Sequence, residues 1–312
     1  DVFVVQSLYG EPERSVNDKL CRLLFFCGAL RDASADRLTI VVPYLCYQRK
    51  DRKTQPRDPI TTRYVAGLFE SVGVDRVLTI DVHNLAAFQN SFRCRTDHLE
   101  ARPQFVDELV TRIGDRPGEG EVTVVSPDEG GMKRANRFAE GMHARLGSPV
   151  PTAFVEKLRT GNDIRGGTLV GDVDGRVAII VDDLIGTGGT IRQATRACAA
   201  GGADRVLAVA THGVFVGNAA DTLDEPALEA LMIANTIPPF RLRSTPVMEK
   251  VTVCDVSSRF AAAIHAIHNG GSVTALNEMD ASLHSGDARD DNPSAPLDRP
   301  VASRSEQAVE TR

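Results

Sequence analysis

Val177-Ala178-Ile179-Ile180-Val181-Asp182-Asp183-Leu184-Ile185-Gly186-Thr187-Gly188-Gly189-Thr190 joins an apolar strand, two consecutive acids and a Gly/Thr loop that opens a helix. Glycines let a backbone approach a ligand closely, and the N–H groups at a helix start point at an anion. Thr187 and Thr190 add hydroxyl donors. Asp182 and Asp183 stand where carboxylates accept from sugar hydroxyls; placed on a phosphate they would repel it. Taken alone, the same run also fits a strand-to-helix turn with an Asp cap.

The pattern repeats outward from this stretch. Val- and Ile-rich runs of strand length predict strands over Val2–Gln6, Leu38–Pro43, Val77–Val82, Val122–Ser126, Ala153–Val155, Val177–Asp182, Val206–Thr211, Leu231–Asn235 and Val251–Asp255. Their nearly continuous apolar character is that of parallel strands buried on both faces. Amphipathic stretches between them predict helices over Asn17–Arg31, Thr61–Val72, Gln104–Ile113, Lys133–Leu146, Ile191–Ala200 and Ser257–His268. Alternation of the two gives an α/β fold. Gly73-Val74-Asp75-Arg76-Val77-Leu78 recurs as Gly202-Ala203-Asp204-Arg205-Val206-Leu207, and His83 follows the first copy as His212 follows the second. Two copies with a matching histidine point to two related α/β domains in tandem. The Gly-rich segment Gly161–Gly175 reads as a mobile loop, and 277–312, rich in Ser, Asp, Arg and Pro, as a disordered tail.

Composition narrows the function classes. The 312 residues carry a net charge of −6, with 42% hydrophobic and 25% charged residues. That is the mix of a soluble globular protein without a global basic field for nucleic acid or anionic membrane. No apolar run reaches membrane-spanning length, and no signal-peptide pattern opens the chain. Six cysteines without a C-x-x-C pair suit reduced thiols, which points to the cytoplasm. Since the first residue is Asp1, the chain reads as shortened at its N-terminus.

The Asp182–Thr190 loop resembles the phosphoribosyl-binding motif of type I phosphoribosyltransferases and their relatives. Upstream residues narrow the resemblance. Pro43-Tyr44 with Tyr47, Arg49, Asp51, Arg52, Lys53, Arg57 and Pro59-Ile60 resembles the nucleotide-contacting segment of ribose-phosphate diphosphokinases. Asp81-Val82-His83 resembles that family's Asp-x-His motif, Ser126-Pro127-Asp128-Glu129-Gly130-Gly131 its Ser-Pro-Asp-x-Gly-Gly motif, and Lys157-Leu158-Arg159 the Lys-x-Arg of its catalytic loop. These motifs stand in the family's order from Asp1 to about Leu276.

The resemblance implies two type I phosphoribosyltransferase-like domains, each a mainly parallel sheet flanked by helices, over 1–102 (lacking its first elements) and 103–276. It implies transfer of the pyrophosphoryl group of Mg·ATP to the 1-hydroxyl of ribose 5-phosphate. Lys157 and Arg159 would be catalytic. Arg159, Asp182, Asp183, Gly186, Thr187, Gly188, Gly189 and Thr190 would bind ribose 5-phosphate. Arg49, Lys50 and Asp51 would bind ATP. His83 and Asp128 would hold Mg²⁺, with Asp81 a weaker candidate. It also implies a homo-oligomer, dimer-based and commonly hexameric. Read singly, His83 and Asp128 also fit helix or turn caps, and the run from Arg49 to Arg57 a solvated basic loop. A phosphoribosyltransferase and a catalytically silent regulatory subunit are the competing functions at this point.

Overall fold

The computed structural model describes residues 1–114, 121–160 and 163–277, with only the backbone course given for 157–160 and 163–166. The described residues form one compact unit. It holds two sheets. The first contains β1 (Val2–Val5), β2 (Leu38–Val41), β3 (Arg76–Ile80) and β4 (Arg95–Leu99), in that order and parallel throughout. The second has the order β11-β10-β9-β8-β5-β6-β7. Its strands are β5 (Val122–Ser126), β6 (Thr152–Thr160), β7 (Asp163–Val170), β8 (Val177–Ile185), β9 (Arg205–Gly213), β10 (Ala230–Ala234) and β11 (Val251–Cys254). Only the β6–β7 pair is antiparallel.

Strand alternation feeds three clusters of buried side chains. On one face of the first sheet Val4, Leu38, Ile40 and Val77 pack with three helices, α1 (Val16–Asp32), α2 (Thr61–Ser71) and α3 (Leu85–Ser91). α1 starts at a capping box, with Ser15 Oγ accepting from Asp18 N at 3.2 Å and the Asp18 carboxylate accepting from Ser15 N at 2.8 Å. On β8, Ala178 and Ile180 pack with α6 (Gly189–Ala200) and α7 (Ala219–Leu223). Ile179 and Val181 point the other way, into a core they share with Leu78, Ile80 and Leu99 of the first sheet. Helices α4 (Arg102–Ile113), α5 (Met132–Leu146) and α8 (Ser257–His268) complete that shared core. It joins the two sheets and brings the carboxyl ends of β3 and β8 to one cleft.

The repeat has a structural counterpart. Gly73 and Gly202 follow α2 and α6 with φ of +82° and +85°, the left-handed exit that leads each helix into its strand. All six cysteines are unpaired. Among the described residues no helix is long and apolar enough to cross a membrane.

Three expectations need correction. β4 and β7 are strands that hydrophobic patterning does not reveal. The segment expected as a mobile loop, Gly161–Gly175, contains β7, hydrogen-bonded along β6; residues 161 and 162 lie outside the described residues. Its glycines serve close packing, because a Cβ on Gly167 would lie 2.1 Å from Val155 Cγ1 and one on Gly171 2.5 Å from Ala153 Cβ. Asn277, expected to open the tail, belongs to the fold: its Oδ1 accepts from Glu100 N at 2.9 Å and its Nδ2 donates to His98 O at 2.7 Å. The remaining tail, 278–312, lies outside the described residues.

His212, on β9, is fully buried, and burial pushes its pKa down. An unfolded chain therefore takes up this proton more readily than the folded one. The resulting stability is complete above the ordinary histidine range, about pH 6.5, and is lost as pH falls below it. The urea midpoint is expected to drop between pH 7.5 and pH 5.5, and to drop less in His212→Gln. An equal drop in both chains would remove His212 from the acid response.

Candidate active site

β8 carries the two acids into the cleft. Gly188, in the left-handed region at φ +80°, turns the chain into α6 and has no side-chain cap. The first-turn amides of α6 are thus left for an anion. The loop is held from behind. Val214 N and Phe215 N both donate to Ile185 O at 3.0 Å, and Val216 N donates to Gly186 O at 3.0 Å.

The cleft has a volume of about 730 Å³. Gly186, Thr187, Gly188, Gly189 and Thr190 line it beside Asp182 and Asp183. From the first sheet come Asp81 and His83 after β3, and Arg49 and Asp51 from the β2–α2 connection. Asp51 Oδ2 accepts from Asn84 Nδ2 at 2.9 Å, which fixes that connection to the turn after β3. Asp128 lines the cleft from the turn after β5, where its Oδ1 accepts from Gly131 N at 3.2 Å.

An ion-pair cluster joins the two sheets across the cleft floor. His83 Nδ1 lies 2.9 Å from Asp183 Oδ2. Arg134, in the first turn of α5, reaches Asp182 Oδ1 at 3.2 Å through Nη1 and Asp183 Oδ1 at 3.1 Å through Nη2. Asp183 N also donates to Asp182 Oδ1 at 2.8 Å. The two acids are thereby pushed apart in acidity. Burial, and then the neighbouring Asp183 charge, push Asp182 well above the usual carboxylate range. Burial opposes ionisation of Asp183 too, but the His83 hydrogen bond and the Arg134 charge outweigh it and hold Asp183 well below the usual carboxylate range.

The donor set is sparse. Among the described residues no group of three or more His, Cys, Asp or Glu is gathered to hold a metal. His83 has the form of a ligand with its outer partner in place, since Nδ1 is held by Asp183 and Nε2 has no hydrogen-bond partner among the described residues. With Asp128 it offers the small protein share expected where phosphate oxygens and water complete the coordination.

Most of the expected site residues meet in this cleft. Lys50 does not: it is exposed and outside the lining. Lys157 and Arg159 lie in β6, with side chains outside the described residues. Arg134, Gln48 and Thr211 were not foreseen as part of the site. Arg134 stands six positions after Asp128 in an already conspicuous run, yet only the docking of α5 against β8 brings it to the acids. Gln48, whose Oε1 accepts from His83 N at 2.8 Å, adjoins Arg49 and carries no separate signal.

Residues 1–73 match the family described as the N-terminal domain of ribose phosphate pyrophosphokinase, and 159–278 match the phosphoribosyl synthetase-associated domain. The chain is 40% identical over 278 residues to a ribose-phosphate pyrophosphokinase of Parasynechococcus marenigrum, covering 88% of this chain and 78% of that protein. It is 38% identical over 277 residues to ribose-phosphate pyrophosphokinase A of Dictyostelium discoideum, covering 88% and 82%. The crystal structure of phosphoribosylpyrophosphate synthetase from Mycobacterium smegmatis superposes with a TM-score of 0.76 at 32% identity, covering 87% of this chain and 83% of that one. By sequence and by fold, the chain belongs to the ribose-phosphate pyrophosphokinase family.

Proposed function

We propose that the cleft carries out diphosphoryl transfer with ribose 5-phosphate seated on the β8–α6 loop and ATP on the first-sheet side. The observation that carries this assignment is the meeting of an anion-receiving helix start, the Asp182–Asp183 acid pair and His83 in one cleft of about 730 Å³. Amides and hydroxyls of Gly186–Thr190 receive the 5-phosphate. Asp182 is the better acceptor for ribose hydroxyls, because both oxygens of Asp183 are engaged by His83 and Arg134. The 1-hydroxyl attacks the β-phosphorus of ATP, a new P–O bond forms to the sugar, the bond to the α-phosphate oxygen breaks, and AMP leaves.

Arg49 and Asp51 bind the nucleotide. His83 and Asp128 would hold Mg²⁺, which when bound neutralises charge on the transferred group. Lys157 and Arg159 add positive charge on the β6 side, and Arg159 also meets ribose 5-phosphate. Positioning and charge stabilisation are most of what phosphoryl transfer asks of a protein.

The same proposal places two phosphoribosyltransferase-like domains at 1–102 and 103–276, and the protein in the cytoplasm as a dimer-based homo-oligomer that assembles up to a hexamer. Phe25 and Phe26 of α1, 79% and 52% exposed, support a subunit contact on that face. Incubation with ATP, ribose 5-phosphate and Mg²⁺ is expected to yield AMP only when the sugar phosphate is present. ADP in place of AMP would contradict the assignment.

A further inference from the structure

The second copy of the repeat leaves a histidine whose position differs from that of the first. His83 faces the cleft, whereas His212 is buried between the sheets. His212 Nε2 lies 3.1 Å from Ile80 O and Nδ1 lies 2.9 Å from Thr236 Oγ1. A carbonyl only accepts, so Nε2 carries the proton of the neutral ring, and the single Thr236 hydroxyl proton is shared between Nδ1 and Thr211 O at 3.1 Å. Its neighbour Thr211 donates from Oγ1 to Asp81 Oδ2 at 2.6 Å. β9 of the second sheet therefore grips the end of β3 in the first, at the last strand carbonyl and at the next side chain.

The gripped segment is the turn that aims His83. Asp81 is a non-glycine residue with φ +44°, a conformation that persists where surrounding contacts enforce it. Its Oδ2 also accepts from Ala101 N at 2.9 Å. Each amide through the turn has its own acceptor. Asp81 N donates to Leu99 O at 2.9 Å, Val82 N to His98 Nε2 at 3.2 Å and His83 N to Gln48 Oε1 at 2.8 Å. His98 must be unprotonated at Nε2 to accept.

We infer that Thr211 and His212 are positioning residues for the reaction, bracing the Ile80–His83 turn from across the sheet boundary, and that Asp81 is the anchor of this brace and not a metal ligand. The brace lets one sheet set the place of the histidine that the other presents to the cleft. The inference rests on the reading of His83 given above.

Thr211→Val removes the donor and keeps the shape, and Thr211→Ser restores the hydroxyl. In Thr211→Val, kcat is expected to fall at least tenfold with the ribose 5-phosphate KM within threefold. Amide exchange of the 80–84 segment, followed by mass spectrometry, is expected to accelerate. Thr211→Ser is expected to return both to within threefold of the parent chain. A kcat within twofold of the parent in Thr211→Val, or failure of serine to rescue, overturns the inference.

Should Thr211→Val not fold, Asp81→Asn decides, since it keeps an acceptor oxygen and removes the charge. Mn²⁺ binding in the presence of ATP, followed by paramagnetic resonance, is expected to stay within threefold. A loss of tenfold or more makes Asp81 a ligand and overturns the inference. An active His83→Ala chain would overturn the role of His83 alone, and the exchange data on Thr211→Val would still report on the brace.

Discussion

Asp183→Asn is expected to lower kcat about 10- to 100-fold and to raise the Mg²⁺ concentration needed for half-maximal activity, with the ribose 5-phosphate KM within threefold. Replacing the outer partner of a ligating histidine typically costs this much. Asp183 is 3% exposed, with one oxygen 2.9 Å from His83 Nδ1 and the other 3.1 Å from Arg134. The amide keeps the volume but presents an N–H₂ group to one of two donors, His83 Nδ1 or Arg134. It also removes the charge that holds His83 in the Nδ1-protonated tautomer and frees Nε2. Kinetics across a Mg²⁺ titration separate the possibilities. An unchanged Mg²⁺ requirement with a KM for ribose 5-phosphate raised tenfold would make Asp183 a sugar ligand and not the orienter of His83.

Gly188→Ala is expected to raise the ribose 5-phosphate KM at least tenfold while leaving the ATP KM within threefold. Alanine at φ +80° carries a left-handed penalty of about 1–2 kcal/mol. Its Cβ would also lie 2.7 Å from Leu223 Cγ, and Leu223 is fully buried on α7 and has no room to retreat. The loop must shift to relieve both, and each 1.4 kcal/mol lost in binding is about tenfold. Gly67→Ala on α2, outside the cleft, is the control, since a Cβ there meets nothing within 4 Å. Steady-state kinetics on the two variants should therefore differ sharply. Equal KM values would mean that the loop does not hold the 5-phosphate.

The strands buried on both faces were legible because their side chains are apolar whichever way they point. β8 reads directly from Val177 to Val181, with alternate residues feeding two different cores. β4, Arg95-Thr96-Asp97-His98-Leu99, is an edge strand buried fully only at Leu99, so no apolar run marks it. β7 is the other sheet's edge, and its glycines imitate a loop while meeting a packing need. α3 and α7 are too short for a period to show.

In the site, the residues on strand ends and in the Gly/Thr loop were legible, because their chemistry and spacing coincide in one stretch. Arg134, Gln48 and Thr211 were not. Each acts by reaching a partner on another element, Thr211 across 130 positions of sequence, and spacing along a chain carries no trace of such a contact. His212 was visible as the echo of His83, but the repeat gave no sign that one copy would face the cleft and the other the interior.

The most direct measurement follows the label of [β-³²P]ATP through the reaction with ribose 5-phosphate and Mg²⁺. Diphosphoryl transfer moves the label to the sugar phosphate product, one for each AMP formed. Label retained in ADP, with only the γ-phosphate moving, would contradict it.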